Sequence, residues 1–180
     1  FARMIAKSGA KPKRTILFIG FAGEEFGLLG AQAWVKAHKD KLPKIANLFN
    51  RDGGPEPPVG ISVPQAMYDD FVKISEPIQK IRPDYPFEVK VRDPRKRPTR
   101  MGGTDASVFA IEGVPTLGFT TEDFKGYDFD YGEIWHTERD LYTKNIPEYQ
   151  EHTATVTAII ALGVANLDKQ LSREGLYTEE

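Results

Sequence analysis

At 180 residues, 40% hydrophobic and 28% charged, the sequence is long enough for one domain with its own core. A net charge of -2 excludes a general attraction to nucleic acid, and the absence of cysteine excludes disulfides and thiolate metal sites. No apolar run approaches the roughly 20 residues that cross a bilayer.

The sequence opens at Phe1-Ala2-Arg3-Met4-Ile5, without an initiator Met, and Phe1, Met4 and Ile5 fall at helical spacing before Ser8-Gly9. The chain therefore reads as beginning inside a helix. The apolar run Ile16 to Phe21, within Arg14 to Ala22, predicts a strand buried on both faces. After Gly23-Glu24-Glu25, Leu28, Ala31 and Val35 predict a helix ending near Asp40. Ile45 to Arg51 predicts a second strand, stopped by Asp52-Gly53-Gly54-Pro55, and Val59 to Val63 a short third one. Pro64 to Ile81 reads as a helix with Met67, Phe71 and Ile74 on one face, and Phe87 to Val91 as a strand. Residues 92–103 read as a loop, Thr104 to Ile111 as a helix, and Val114 to Phe119 as a strand. Residues 120–146 read as a long connection, of the kind that often carries function. Pro147 to Leu171 reads as a long helix with Pro near its first turn. Residues 173–180 read as a polar, frayed tail. Alternating strands and helices predict an α/β domain over residues 1–172.

Glu24-Glu25 and Asp52 each follow the carboxyl end of an expected strand, where open α/β sheets bind ligands. His136, in the long connection, is within reach of the same edge. Three acids and an imidazole suit zinc or a similar divalent ion. Adjacent glutamates can divide the labour, one on a metal and the other facing an activated water. Each residue also has an ordinary structural reading. Glu-Glu favours the first turn of a helix, Asp before Gly-Gly favours a turn, and His136 can cap or pack. For His38 and His152 the structural reading is preferred. The run Arg92 to Arg97 reads as a solvated loop, with recognition of a substrate carboxylate as the competing role. Phe124, Tyr127, Phe129, Tyr131 and Trp135 read either as loop packing or as the wall of an apolar subsite.

Taken together, four segments resemble the co-catalytic di-zinc aminopeptidase family, which includes bacterial leucine aminopeptidase and plasma glutamate carboxypeptidase. They are Arg14 to Ala31, with its strand, Glu24-Glu25 and Gly27-Leu28-Leu29-Gly30-Ala31; Asn50-Arg51-Asp52-Gly53-Gly54; Gly103-Thr104-Asp105-Ala106-Ser107-Val108-Phe109 with Gly113-Val114-Pro115; and Trp135-His136-Thr137-Glu138-Arg139-Asp140. The resemblance runs over about residues 1–172. It implies a three-layer α/β/α sandwich with a mixed, mainly parallel sheet, of which this chain is the carboxy-terminal part. It implies zinc as cofactor, two ions in the complete domain, and a peptide or dipeptide as substrate.

By the same resemblance Glu24 is the general base, Glu25 and His136 hold one zinc, and Asp52 belongs to the second. Thr104 and Asp105 line the site by the resemblance, and Tyr131 and Trp135 join them as substrate residues on the reading of the loop aromatics as a subsite wall. Ala106 stands where the family usually has His or Tyr. The family's upstream His-x-Asp segment and bridging Asp have no counterpart in residues 1–13, so this chain alone is expected to bind zinc weakly or not at all and to be inactive. An extracytoplasmic location is expected, since related enzymes are often exported. Two other readings stand beside the exopeptidase: a glutaminyl cyclase, which has a similar fold and one zinc, and a non-catalytic binding domain like the transferrin-receptor ectodomain.

Overall fold

A computed structural model describes residues 1–178 of the chain. Nine regular elements follow in order: α1 (Ala2–Lys7), α2 (Leu29–Ala37), β1 (Pro58–Val63), α3 (Tyr68–Ile81), β2 (Glu88–Val91), α4 (Ala106–Ile111), β3 (Phe119–Thr121), α5 (Tyr131–Ile134) and α6 (Pro147–Asn166). The sheet order is β2-β1-β3. Strands β1 and β2 run parallel, with Gly60 opposite Glu88 and Val63 opposite Val91, and α3 is their crossover. Strand β3 lies antiparallel to β1, with Ile61 opposite Phe119.

Two apolar clusters cover the two faces of this layer. On one, α3 presents Met67, Phe71, Ile74 and Ile78 at helical spacing to Val156, Ile160 and Val164 of α6 and to Ile61 and Val63 of β1. Gly163 makes this crossing close: a Cβ there would overlap Ile74 of α3. On the other face, Leu28, Ala31 and Val35 of the α2 region pack on Val108 and Phe109 of α4 and on Val114. The segment 45–49 separates the clusters, sending Ala46 and Phe49 to the first and Ile45 and Leu48 to the second. The result is the three-layer α/β/α arrangement with a mixed sheet.

Three expected strands differ. Residues 15–22 run without strand pairing among the described residues, and Leu17, Phe18 and Ile19 are 63%, 44% and 38% exposed. A buried central strand needs a ladder partner and cover on both faces, and neither meets this segment. Residues 45–51 and 114–118 are also outside regular strands. They do lie side by side, through Leu48 N donating to Pro115 O (2.9 Å). Asn47 accounts for the rest of that pairing. Its side-chain oxygen accepts from Leu117 N (2.8 Å) and its amide donates to Leu117 O (3.2 Å), in place of a backbone ladder. The strand expected over 114–119 is thereby delayed to β3.

Helix α6 stops at Asn166, short of Leu171, where its end is taken up by the amino-terminal segment. Asn166 Oδ1 accepts from Lys13 N (3.1 Å), and Arg14 N donates to Ala165 O (3.1 Å). Nor is the chain after Ser172 frayed. Leu176 is buried in the first cluster, and Arg173 donates to the carbonyls of Gly113, Leu42, Pro43 and Ile45. Arg95 and Tyr177 form a parallel bridge. The remainder of the expected tail, residues 179 and 180, lies outside the described residues.

Candidate metal and substrate site

The loop that carries Glu24 and Glu25 is folded back on the start of α2. Glu24 O accepts from Gly27 N and Leu28 N (2.9 and 2.8 Å), while Leu29 N and Gly30 N donate to Gly23 O and Ala22 O (3.1 and 2.8 Å). The unpaired N–H groups of the helix start are thus met by loop carbonyls rather than by side chains. Leu28 adopts φ 61°, a left-handed conformation costly for a branched side chain, as its side chain turns into the second cluster.

His136 is held from the other side of the site. Asp130 caps α5 by accepting from Gly132 N (2.8 Å). Thr137 Oγ1 closes the helix by donating to Glu133 O (2.8 Å) and Ile134 O (3.2 Å). Between them His136 takes φ 56°, and this left-handed turn aims its ring at the Glu24-Glu25 loop. His136 Nε2 lies 3.1 Å from Glu25 Oε1 and 3.0 Å from Oε2.

Three further acids share this neighbourhood. Glu24 is held above the usual carboxylate range by partial burial and then by the charges of Asp52, Glu25 and Asp105, against an opposing pull from His136. Burial and then Glu25 raise Asp52 in the same direction. Asp105 is buried at 7% exposure, and its Oδ1 has no hydrogen-bond partner among the described residues. Burial and the charge of Asp52 raise its pKa as well. The Glu24, Glu25, Asp52 and His136 set proposed from sequence is therefore close enough to interact, with Asp105 added.

Asp52 and Thr104 line a cleft of about 280 Å³, together with Asn50, Thr116, Leu117 and Phe119. Asn50, whose role sequence reasoning left open, ties the two sides by donating to Thr104 Oγ1 (3.2 Å). Arg51 shapes the turn after it, donating to Gly54 O and to Glu56 O (2.7 Å). Gly54 is required there, because a Cβ would sit 2.6 Å from Phe129 Cε1 and 3.2 Å from Tyr131 Cδ2. Tyr131 thus reaches the Asp52 turn without lining the cleft, and Trp135 stacks on the His136 ring at 4.5 Å.

The other loop aromatics belong to packing. Phe124 and Tyr127 pack on Tyr149, and Phe124 also on Tyr85. Asp123 organises this part of the loop, accepting from Tyr149 Oη (2.6 Å), Tyr127 N (3.0 Å) and Phe129 N (3.3 Å). Partial burial opposes its charge, but these hydrogen bonds hold it below the usual carboxylate range. No sequence motif marked Asp123; only its place at the head of an aromatic-rich loop hints at it. His38 is structural, its Nδ1 2.8 Å from Trp34 O and its ring stacked on Trp34. His152 is also structural, buried with Nε2 3.0 Å from Pro58 O.

The donor set fits zinc in kind: a carboxylate and an imidazole already face one another at the edge of a second acid pair. In number it falls short, because no three His, Asp or Glu side chains converge as a metal cage among the described residues.

An α/β/α domain whose loops bring acids and an imidazole together has the zinc-exopeptidase type of fold. The chain belongs to peptidase family M28, whose family model matches residues 1–160. Mus musculus carboxypeptidase Q is 23% identical over 175 residues, which cover 94% of this chain and 33% of that protein. The chain thus spans about a third of the length of the curated relatives it matches. A peptidase M28 precursor from Shewanella amazonensis SB2B superposes with a TM-score of 0.72 at 26% identity, covering 95% of this chain and 36% of that one. A zinc aminopeptidase from Bacillus subtilis shares the fold, with a TM-score of 0.58 at 17% identity over 99% of this chain and 42% of its own.

Proposed function

We propose that this chain carries part of the active site of a metal-dependent exopeptidase that hydrolyses a terminal peptide bond. Membership of a peptidase family supports the reaction class. The observation that carries the site assignment is the His136 ring set against both carboxylate oxygens of Glu25. In this reading Glu25 and His136 are ligands of one zinc and Asp52 is a ligand of a second. Zinc, when bound, polarises a water and the scissile carbonyl. Glu24 takes a proton from the attacking water and delivers it to the leaving amine nitrogen.

Thr104 and Asp105 border the bound peptide, and Tyr131 and Trp135 form its outer wall. With only one facing pair of ligands, the chain alone holds zinc weakly and is inactive; the full-length protein is the enzyme. The same proposal puts that enzyme outside the cytoplasm. The deciding experiment is Glu24→Gln in the full-length protein. Turnover of terminal-amide peptides should be lost while zinc content stays near normal. Retained turnover would remove Glu24 as the base, and cyclisation of an amino-terminal Gln peptide instead of amide hydrolysis would replace the reaction.

A further inference from the structure

A second concave site lies beyond the carboxyl ends of β1 and β2. Arg92 follows β2 directly, its N donating to Val63 O (2.8 Å) at the end of β1. The Asp52 cleft adjoins this second one, because Thr116 lines both. The second cleft, of about 240 Å³, is walled by Arg92, Arg95, Lys96, Pro98, Leu176 and Tyr177.

Its cations have no ion-pair partner among the described residues: no carboxylate pairs with Arg92, Arg95 or Lys96, although nine ion pairs form elsewhere. Arg92 Nη1 donates to Asp93 O (2.9 Å), but its Nε is buried and has no acceptor. Burial and then Arg95 lower the pKa of Arg92, the sign of a cation without a counter-charge. The Tyr177 hydroxyl, raised by burial, lies in the combined field of Arg97, Arg92, Arg173 and Arg95.

The walls are fixed. Arg95 N donates to Leu176 O (3.3 Å), and Thr178 N to Arg95 O (2.9 Å). Arg97 donates through Nε and Nη2 to Ile111 O (2.9 and 2.6 Å).

We propose that this cleft binds a small phosphate-class oxyanion. Three cations line the cleft without a carboxylate partner among the described residues, and an anion is the counter-charge they accept. Arg92 approaches from the wall and Arg95 and Lys96 from the loop. Donors from several directions suit a tetrahedral oxyanion better than a planar carboxylate, and guanidinium forks match phosphate oxygens. The cleft is too small and concave for a polymer backbone, and a chain of net charge -2 has no general attraction to one. Because Leu176 and Tyr177 form one wall, the bound anion also fastens the carboxyl-terminal segment to the loop that leads to Thr104.

Isothermal titration of the chain with inorganic phosphate at constant ionic strength tests this. One saturable site is expected, with little affinity for acetate. Arg95→Gln and Lys96→Gln, both at exposed positions, should each weaken binding, about tenfold for the arginine, as the loss of a charge-assisted hydrogen bond requires. Phenyl phosphate in place of phosphate tells an ester ligand from the free ion, and binding of either supports the site. The same titrations are run on Glu179→Gln/Glu180→Gln, which lacks the two carboxylates that follow Thr178 in sequence. Absence of saturable phosphate binding in both chains, equal affinity for acetate, or unchanged affinity in Arg95→Gln/Lys96→Gln would overturn the proposal.

Discussion

His136 Nε2 stands 3.0 Å from Glu25 Oε2, although 111 residues separate the two in sequence. Both side chains are more than half exposed, so solvent screens the pair and it adds little to stability. Its geometry instead suits two ligands facing a common ion. His136→Ala should therefore change the unfolding free energy of this chain, taken from urea melts, by no more than about 0.5 kcal/mol. In the full-length protein the same change should lower zinc content, measured by metal analysis after dialysis. A large loss of stability with unchanged zinc would make the pair structural.

Among the described residues that is the one facing pair, whereas tight zinc sites take three or four protein ligands. Calorimetric titration of the chain with zinc should show no stoichiometric, tight binding, and what weak binding occurs should disappear in Glu25→Gln. Tight one-to-one binding would mean that Asp52 or Asp105 moves to complete the cage.

Asp105 illustrates a cost the fold accepts at this edge. Its carboxyl is buried, has an oxygen without a partner, and is raised by burial and by Asp52. A carboxyl raised in the folded state binds protons more readily there than in the unfolded chain, so its penalty is full above its folded value and fades as pH falls through that value toward the ordinary carboxylate range. Asp105→Asn should raise the melting temperature at pH 7.5, and the gain should shrink at mildly acidic pH. A variant that melts lower at every pH would show that the charge is compensated in the native state.

How far the sequence discloses this architecture depends on what each signal rests on. The stripe Met67, Phe71 and Ile74 needs only one neighbouring surface, and it forms α3 as its period demands. The run Ile16 to Phe21 is as apolar as any buried strand, yet its side chains stay largely exposed, because hydrophobicity does not say whether partner strands are present. Residues 114–118 lose their ladder to one side chain, Asn47, a substitution no periodicity can announce. At the site, Glu24, Glu25, Asp52 and His136 are marked by the joint order of four segments rather than by any residue alone, and of these Glu25 and His136 face one another. Asn50, Arg51 and Asp123 act by tying loops together, and such contacts are fixed only by the fold.

His152 supplies a pH dependence that is independent of the metal site. It is fully buried and stacks on Tyr85 at 3.9 Å. Its Nδ1 has no partner among the described residues. Burial lowers its pKa, outweighing the hydrogen bond to Pro58 O, with Arg82 and Lys125 acting in the same direction and Asp84 against. The unfolded chain, with an ordinary histidine value of about 6.5, takes up the proton first. Stability should thus fall as pH drops below about 6.5, and go on falling until the folded value is reached. Urea midpoints at pH 7.5 and 5.5 should differ less in His152→Phe than in the parent. Equal pH slopes would mean that other groups carry the acid sensitivity.

The crossing of α3 and α6 offers a test of packing with opposing terms. Gly163→Ala gains up to about 1 kcal/mol of helix propensity in α6. Against this, the added methyl would overlap Cγ2 of Ile74 and lie 2.9 Å from its Cγ1 and 3.1 Å from its Cβ. Ile74 is β-branched and stiff, and its Cβ is fixed to α3, so the overlap cannot be relieved by rotating a side-chain tip. Overpacking of this kind costs about 1–3 kcal/mol, which should outweigh the propensity gain. Gly163→Ala should therefore lower the urea midpoint, and Ile74→Ala in the same chain should recover part of the loss by removing both Cγ atoms. A stabilised single variant would show that the helices can part by a few tenths of an ångström at little cost, leaving propensity to decide the sign.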